Sequence, residues 1–70
     1  MKIETRLLYY KSYSQVVWLS LYSCGISDLR FVSSLASLQV AQLSFNKIKD
    51  IRPLEPLLRI REIYLNANAI

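Results

Sequence analysis

The chain has 70 residues, of which 53% are hydrophobic and only one is glycine, so its composition is that of one small folded domain and not of a disordered segment. Its formal net charge is +4. The longest apolar runs are too short to span a membrane, and Glu4 and Arg6 interrupt the start of the chain where a secretory signal would be apolar. A single cysteine excludes an internal disulfide, and the absence of histidine removes the commonest metal ligand. We therefore expect no metal, no cofactor and a reducing, cytoplasmic location.

The first predicted element is an N-terminal capping helix over residues 1–15. Ile3, Leu7, Leu8 and Tyr10 fall near one helical face, with Lys11 towards the C-terminal end of the segment. Such a helix would cover the open end of the repeats that follow. An amphipathic helix lying on a membrane surface is the alternative, and the few cations in this segment disfavour it.

Residues 16–70 repeat themselves at a spacing of 22 residues. Leu21 aligns with Leu43 and Leu65, and Ile26 aligns with Ile48 and Ile70. The remaining positions of the pattern are apolar in every unit: Val16, Leu19, Leu29, Val32 and Leu35; Leu38, Ala41, Ile51, Leu54 and Leu57; Ile60 and Ile63. We divide this region into two full units and a truncated third, each too small to bury its apolar face without a neighbour.

The period changes within each unit, and the change predicts local structure. Alternation of apolar and polar residues, as in Leu19-Ser20-Leu21, is typical of a half-buried strand. The apolar spacing of three that follows predicts a short helical or 3₁₀ turn. We expect Asp28 and Asp50 to cap these turns, and Pro53 to keep the second one short.

A structural turn ladder is predicted at the ninth position of each unit, which holds Cys24, Asn46 and Asn68. A tight turn must follow each strand, and an inward amide side chain can satisfy the buried backbone groups of that turn. Cys24 can take the same place as a small buried hydrogen-bonding group. A nucleophilic role for Cys24 is disfavoured because the chain has no histidine to act as its base.

This pattern resembles the leucine-rich repeats. The motif L-x-x-L-x-L-x-x-N-x-I-x-D-L-x-x-L-x-x-L matches residues 38–57, with Ala41 at one leucine position. The 22-residue period resembles the subclass that includes phosphatase regulators, and residues 37–70 resemble its cilia- and flagella-associated basal-body group. The resemblance implies an α/β leucine-rich-repeat solenoid with short parallel strands on the concave side, helical or 3₁₀ segments on the convex side and the capping helix. It also implies a cytoskeletal scaffold at a cilium, flagellum or basal body.

In such a solenoid the outward strand residues would line the concave side, and they are rich in aromatic rings. We call the predicted partner-binding set the aromatic face; it consists of Trp18, Tyr22, Gln42, Phe45, Glu62 and Tyr64. Aromatic side chains are favoured in protein interfaces, so the hypothesis is a non-catalytic scaffold that binds another protein. The alternative is a scatter of exposed rings, with Trp18 folded under the N-terminal helix.

Two other functions are alternatives to protein binding. A basic cluster occupies a short stretch of the chain and consists of Lys47, Lys49, Arg52, Arg59 and Arg61. It would suit a nucleic-acid adaptor, but a solvated rim is the favoured interpretation because no RNA-binding motif surrounds the cluster, so nucleic acid is disfavoured. A phosphatase-regulatory adaptor is the other alternative. No catalytic residue is proposed, because the chain has no histidine, no phosphate-binding glycine-rich loop and no serine with a base.

The C-terminal end of the repeat pattern breaks off within the third unit. The last strand, predicted near residues 61–65, would be an open edge that is prone to pair with another chain. We expect either that the sequence is a fragment of a longer protein or that this end self-associates with a second copy.

Overall fold

The computed structural model describes residues 15–70, which form one parallel sheet of three short strands. The strands are β1 (Trp18–Ser20), β2 (Val40–Gln42) and β3 (Glu62–Tyr64), and they lie side by side in chain order. A first 3₁₀ helix (Arg30–Ser34) connects β1 to β2, and a second (Arg52–Leu54) connects β2 to β3. The strands therefore lie on one side of the molecule and the 3₁₀ helices return the chain to the start of the next strand.

The register of the sheet places residues that are 22 apart in sequence beside one another. Trp18 pairs with Val40, and Val40 pairs with Glu62. The next positions along the strands form the row of Leu19, Ala41 and Ile63, followed by the row of Ser20, Gln42 and Tyr64. The spacing seen in the sequence is thus the distance along the chain from one strand to its neighbour.

The core lies between the sheet and the 3₁₀ helices. Successive side chains of a strand point to opposite faces, so Leu19 is buried while Trp18 is exposed. On the opposite side, a spacing of three residues buries Leu29 and Val32, because three residues complete one 3₁₀ turn. The full set of buried apolar residues is Val16, Leu19, Leu21, Ile26, Leu29, Val32, Leu35, Leu38, Ala41, Leu43, Ile48 and Leu57.

The predicted fold class, an α/β leucine-rich-repeat solenoid, is wrong. Residues 15–70 contain three three-residue strands and two 3₁₀ helices of five and three residues, with no α-helix, in a body that measures 31 × 25 × 17 Å. The physical reason is the length and spacing of the connecting segments. Apolar residues at intervals of three, with Pro53 and Pro56 in the second segment, allow a 3₁₀ turn but no α-helix of several turns. The capping helix was predicted over residues 1–15, which lie almost entirely outside the described residues.

The third unit is less covered than the first two. β3 lies at the edge of the sheet and pairs only with β2 among the residues that the structure describes. All three of its side chains are exposed, whereas the central residue of β1 and of β2 is buried. No helix between residues 15 and 70 has the length and apolar character needed to cross a membrane.

Candidate functional site: the aromatic face

The turn after each strand has an unusual backbone conformation that recurs at the 22-residue spacing. Ser23, Phe45 and Ala67 have positive φ angles of 53°, 60° and 58°. A left-handed conformation is unfavourable for residues with a β-carbon, and it is an outlier for a bulky residue such as phenylalanine. Phe45 is therefore held in a strained backbone position by the structure around it.

Asn46 stabilises the turn that follows Phe45. Its Oδ1 accepts hydrogen bonds from the backbone N–H groups of Cys24 (3.0 Å) and Ile26 (2.9 Å) in the preceding unit. Its Nδ2 donates to the carbonyl oxygens of Leu21 (2.8 Å) and Leu43 (2.9 Å). The buried amide thus joins two neighbouring turns and fixes the position from which the preceding residue, Phe45, projects.

Of the other two positions in the predicted turn ladder, Asn68 resembles Asn46 and Cys24 does not. Asn68 repeats much of the geometry, since its Oδ1 accepts from the Ile48 N–H at 3.0 Å and its Nδ2 donates to the Leu43 carbonyl at 2.9 Å. Cys24 makes no comparable side-chain link to a neighbouring turn within residues 15–70, and its Sγ donates only to the Tyr22 carbonyl at 3.3 Å. The amide ladder therefore joins the first turn to the second and the second to the third through the two asparagines.

Four aromatic side chains lie exposed on the outward side of the sheet or directly after its strands. Tyr22 and Phe45 pair, with ring centroids 5.2 Å apart and planes tilted by 47°, which is a favourable arrangement for aromatic rings. Trp18 and Tyr64 belong to β1 and β3. The exposed fractions of these four side chains lie between 44% and 57%. The sheet therefore leaves half of each ring uncovered within the described part of the chain.

Gln42 connects the aromatic face to the turn below it. Its Oε1 accepts a hydrogen bond from the Ser44 N–H at 3.0 Å, so its side chain is engaged within the chain. Ser44 follows β2 and is buried, and its Oγ donates to Asn66 Oδ1 at 2.5 Å. No sequence signal distinguishes this buried serine from the half-buried Ser20 and the exposed Ser23.

Glu62 supplies a carboxylate to the aromatic face. It lies at the start of β3, in the same row of the sheet as Val40 and Trp18. It is exposed and has no ion-pair partner among residues 15–70. A shallow groove beside it is lined by Glu62, Val40, Gln39 and Arg61.

The basic cluster does not form one surface in the fold. Lys47 and Lys49 follow β2, whereas Arg59 and Arg61 precede β3. Since the strands are parallel, the end of β2 and the beginning of β3 lie at opposite ends of the sheet. Arg52 is engaged separately in an ion pair with Asp50. The structure therefore separates residues that are close together in sequence.

The two predicted capping aspartates form a repeated ion-pair motif. Asp28 Oδ1 accepts from the Arg30 N–H at 2.9 Å, and Asp50 Oδ1 accepts from the Arg52 N–H at 3.0 Å, at the first residue of each 3₁₀ helix. The two arginine side chains also bind the carboxylates, with Nη2 to Oδ2 distances of 2.6 and 2.7 Å. Hydrogen bonds from Arg30 lower the pKa of Asp28, and those from Arg52 lower the pKa of Asp50 to about 2. The sequence analysis identified the aspartates and missed the arginines.

The described residues offer little for metal binding. Within residues 15–70 no group of three cysteine, aspartate or glutamate side chains is placed to hold a metal ion. The chemistry available on the aromatic face is that of ring surfaces, one carboxylate and a few polar side chains.

Comparison with known proteins identifies a similar protein from a nematode. No family model matches the chain. The uncharacterized protein F09G8.5 of Caenorhabditis elegans is 34% identical to it over 59 residues. The matched region is 84% of this chain and 13% of the worm protein, so the chain spans a small part of that relative's length.

Proposed function

We propose that this chain is a non-catalytic module that binds another protein through the aromatic face. The observation that carries the proposal is the exposure of Trp18, Tyr22, Phe45 and Tyr64, each close to half uncovered. Aromatic side chains of this kind supply much of the binding energy in protein interfaces. The buried core is made by other residues, so the fold does not depend on these four rings for its interior.

The backbone conformation of Phe45 supports the same proposal. Glycine or asparagine would occupy a left-handed turn with less strain, and the equivalent positions in the other units hold the smaller Ser23 and Ala67. A phenylalanine at such a position costs stability and leaves half of its ring in solvent. Strained residues of this kind cluster at functional sites, which makes the exposed ring a candidate contact for a partner.

Binding of nucleic acid is the less favoured function. Lys47 and Lys49 lie at one end of the sheet and Arg59 and Arg61 at the other, whereas a nucleic-acid surface needs basic residues clustered on one face. Binding that falls steeply with salt and survives loss of the aromatic rings would nevertheless identify that function.

The resemblance of residues 37–70 to basal-body proteins extends the proposal to a cellular site. We expect the partner to belong to the cytoskeleton of a cilium, flagellum or basal body. Immunofluorescence of the tagged chain in ciliated cells tests this, with a centrosomal marker as the reference. A diffuse signal throughout the cytoplasm would contradict the localisation and leave the proposed binding face unaffected.

The binding face is tested by affinity capture with matched variants. The parent chain is compared with a variant carrying Tyr22→Ser and Tyr64→Ser, and with a control carrying Ile51→Ser and Leu58→Ser. The control removes two exposed apolar side chains that lie outside the aromatic face. Circular dichroism establishes that all three chains are folded.

We expect the parent and the control to retain one or more proteins from ciliated-cell lysate, and we expect the tyrosine variant not to retain them. Each retained protein is then purified and its dissociation constant measured with the three chains. Equal affinity for all three would show that the aromatic face is not the binding surface.

A further inference from the structure

We propose that the segment which contacts the aromatic face presents a single positively charged side chain, most suitably an arginine, to Glu62. The inference rests on the proposed function, because it names the chemistry of the partner that this face would bind. It is carried by the distribution of charge on the face and by the distances between its rows.

The charge of the face differs from the charge of the chain. The chain carries a formal net charge of +4, yet the charged residue within the aromatic face is an acid, Glu62. The other acids between residues 15 and 70 are placed elsewhere: Asp28 and Asp50 are held in ion pairs with arginines, and Glu55 follows the second 3₁₀ helix. Glu62 is therefore the available counter-charge for a ligand on this side of the sheet.

The spacing of the sheet brings aromatic rings close to that carboxylate. Glu62 and Tyr64 are two residues apart on one strand and point to the same side, which places their β-carbons roughly 7 Å apart. Trp18 lies two strands away in the same row as Glu62, a separation of about 10 Å. A cation bound by the Glu62 carboxylate thus lies within reach of both ring surfaces, and cations are attracted to tryptophan and tyrosine faces within about 6 Å of the ring centre.

Arginine suits this arrangement better than lysine. Its planar guanidinium group donates two parallel hydrogen bonds to a carboxylate and also stacks on aromatic faces. A lysine ammonium group is a compact and strongly hydrated charge that makes neither contact as well.

Arg61 limits the number of charges that the partner can carry. It is exposed, precedes Glu62 and lines the same groove. Its positive charge disfavours a run of basic residues across the start of β3. The surface therefore favours one arginine between uncharged residues over a polybasic tract.

Trp18 provides the signal for a direct test, because it is the only tryptophan in the chain. The probes are acetylated and amidated pentapeptides of sequence Gly-Leu-X-Leu-Gly, with X as arginine, citrulline, lysine or glutamate. Citrulline keeps the shape of arginine and removes its charge. Each peptide is titrated into the full chain while the fluorescence of Trp18 is recorded.

We expect the arginine peptide to bind about fivefold more tightly than the citrulline peptide, since an exposed ion pair and a cation–π contact are each modest. The lysine peptide should lie between them and the glutamate peptide should bind most weakly. Glu62→Gln should reduce the affinity for the arginine peptide to that for the citrulline peptide. Glu55→Gln removes the same charge from another surface and should leave the order of affinities unchanged.

The possible outcomes separate this inference from the proposed function. Equal affinity for the arginine and citrulline peptides, or an arginine preference that Glu62→Gln leaves intact, would overturn the assignment of a cationic ligand. Tightest binding of the glutamate peptide would overturn it in favour of the basic residues. In each case the tyrosine variants of the capture experiment still report separately on whether the aromatic face binds protein.

Discussion

The first two units and the third have similar residues at equivalent positions, but several of these residues are buried in the first two units and more exposed in the third. In the central row of the sheet, Leu19 and Ala41 are 1% and 0% exposed, whereas Ile63 is 37% exposed. The turn asparagines differ in the same direction, since Asn46 is buried and Asn68 only partly so. All three strand residues are apolar, so the difference comes from neighbours and not from residue type. A residue of the repeat pattern therefore stabilises the fold more when neighbouring units cover it on both sides than when one side is uncovered.

The largest effect on stability is expected when equivalent leucines of the second and third units are replaced by alanine. Leu43 is fully buried and Leu65 is partly exposed. We expect Leu43→Ala to lower the free energy of unfolding by about 3 kcal/mol, because it removes buried methylene groups and leaves a cavity. Leu65→Ala should cost about 1 kcal/mol, because part of that side chain already contacts solvent. Urea denaturation followed by circular dichroism measures both values, and equal costs would contradict the comparison.

The next effect concerns the two asparagines of the turns. Asn46→Ala leaves the N–H groups of Cys24 and Ile26 without their acceptor and removes the Nδ2 donor from the Leu21 carbonyl. The Leu43 carbonyl keeps its second donor, Asn68 Nδ2. We expect a loss of about 2 to 3 kcal/mol, since each buried group left unsatisfied is costly. Asn68→Ala should lose about 1 kcal/mol, because this side chain is more exposed. Amide hydrogen exchange at Ile26 and Ile48 provides a second readout, and it should accelerate only at the residue whose own acceptor is removed.

A smaller effect is expected at the left-handed turn positions. Ala67→Gly should raise the free energy of unfolding by about 0.5 kcal/mol, because glycine adopts a positive φ without the clash of a β-carbon. Phe45→Gly should change stability little, because relief of the same strain is offset by loss of the contact with Tyr22. Ala69→Gly is the matched control, since Ala69 has no positive φ and should be destabilised by glycine. A large loss of stability in Phe45→Gly would mean that the ring has a structural role.

The smallest expected effect is the pH dependence of the repeated ion pairs. Arg52 holds the pKa of Asp50 at about 2, below the value of about 3.9 for an unfolded chain. A carboxyl group with a lowered pKa stabilises the folded state above its unfolded pKa, and this contribution is lost as the pH falls from about 4 towards 2. The contribution is small because the pair is exposed to solvent.

Carbon NMR of the Asp50 carboxyl group measures this pKa directly. Arg52→Gln should return the titration midpoint towards the usual range and should reduce the loss of thermal stability between pH 4 and pH 2. Glu55→Gln is the control that removes one neighbouring charge and keeps the Asp50–Arg52 pair. A midpoint for Asp50 that does not respond to Arg52→Gln would show that another group lowers its pKa.

The order of the strands and most of the core residues could be predicted from the sequence, because both follow from the 22-residue spacing of apolar residues. The row of Leu19, Ala41 and Ile63 can be read directly from the 22-residue spacing. The α/β solenoid was a wrong prediction, because an apolar spacing of three does not specify how many turns follow. The 3₁₀ helices have five and three residues, and 3₁₀ geometry is typical of such short connecting segments.

Residues of the candidate site were predictable to a smaller extent. The exposure of Trp18 and Tyr64 follows from strand alternation. The burial of Ser44 and the pairing of Phe45 with Tyr22 do not, because both depend on the left-handed backbone after β2. Glycine and asparagine are the residues usually found at a left-handed turn, so the phenylalanine at position 45 does not indicate a positive φ angle.

The constant register of the sheet has a genetic consequence. Each row of the core consists of residues that are 22 apart in sequence. Duplication of one whole unit would therefore add one residue to each row and leave the existing pairs in register. Insertion of a single residue just before β2 would move Ala41 from the inner to the outer side and would displace the polar Gln42 into the core. The same insertion within the exposed stretch after the second 3₁₀ helix would be absorbed by the connection. Length variation in related genes is therefore expected in steps of whole units or in the connections that follow the 3₁₀ helices, and rarely within the strands.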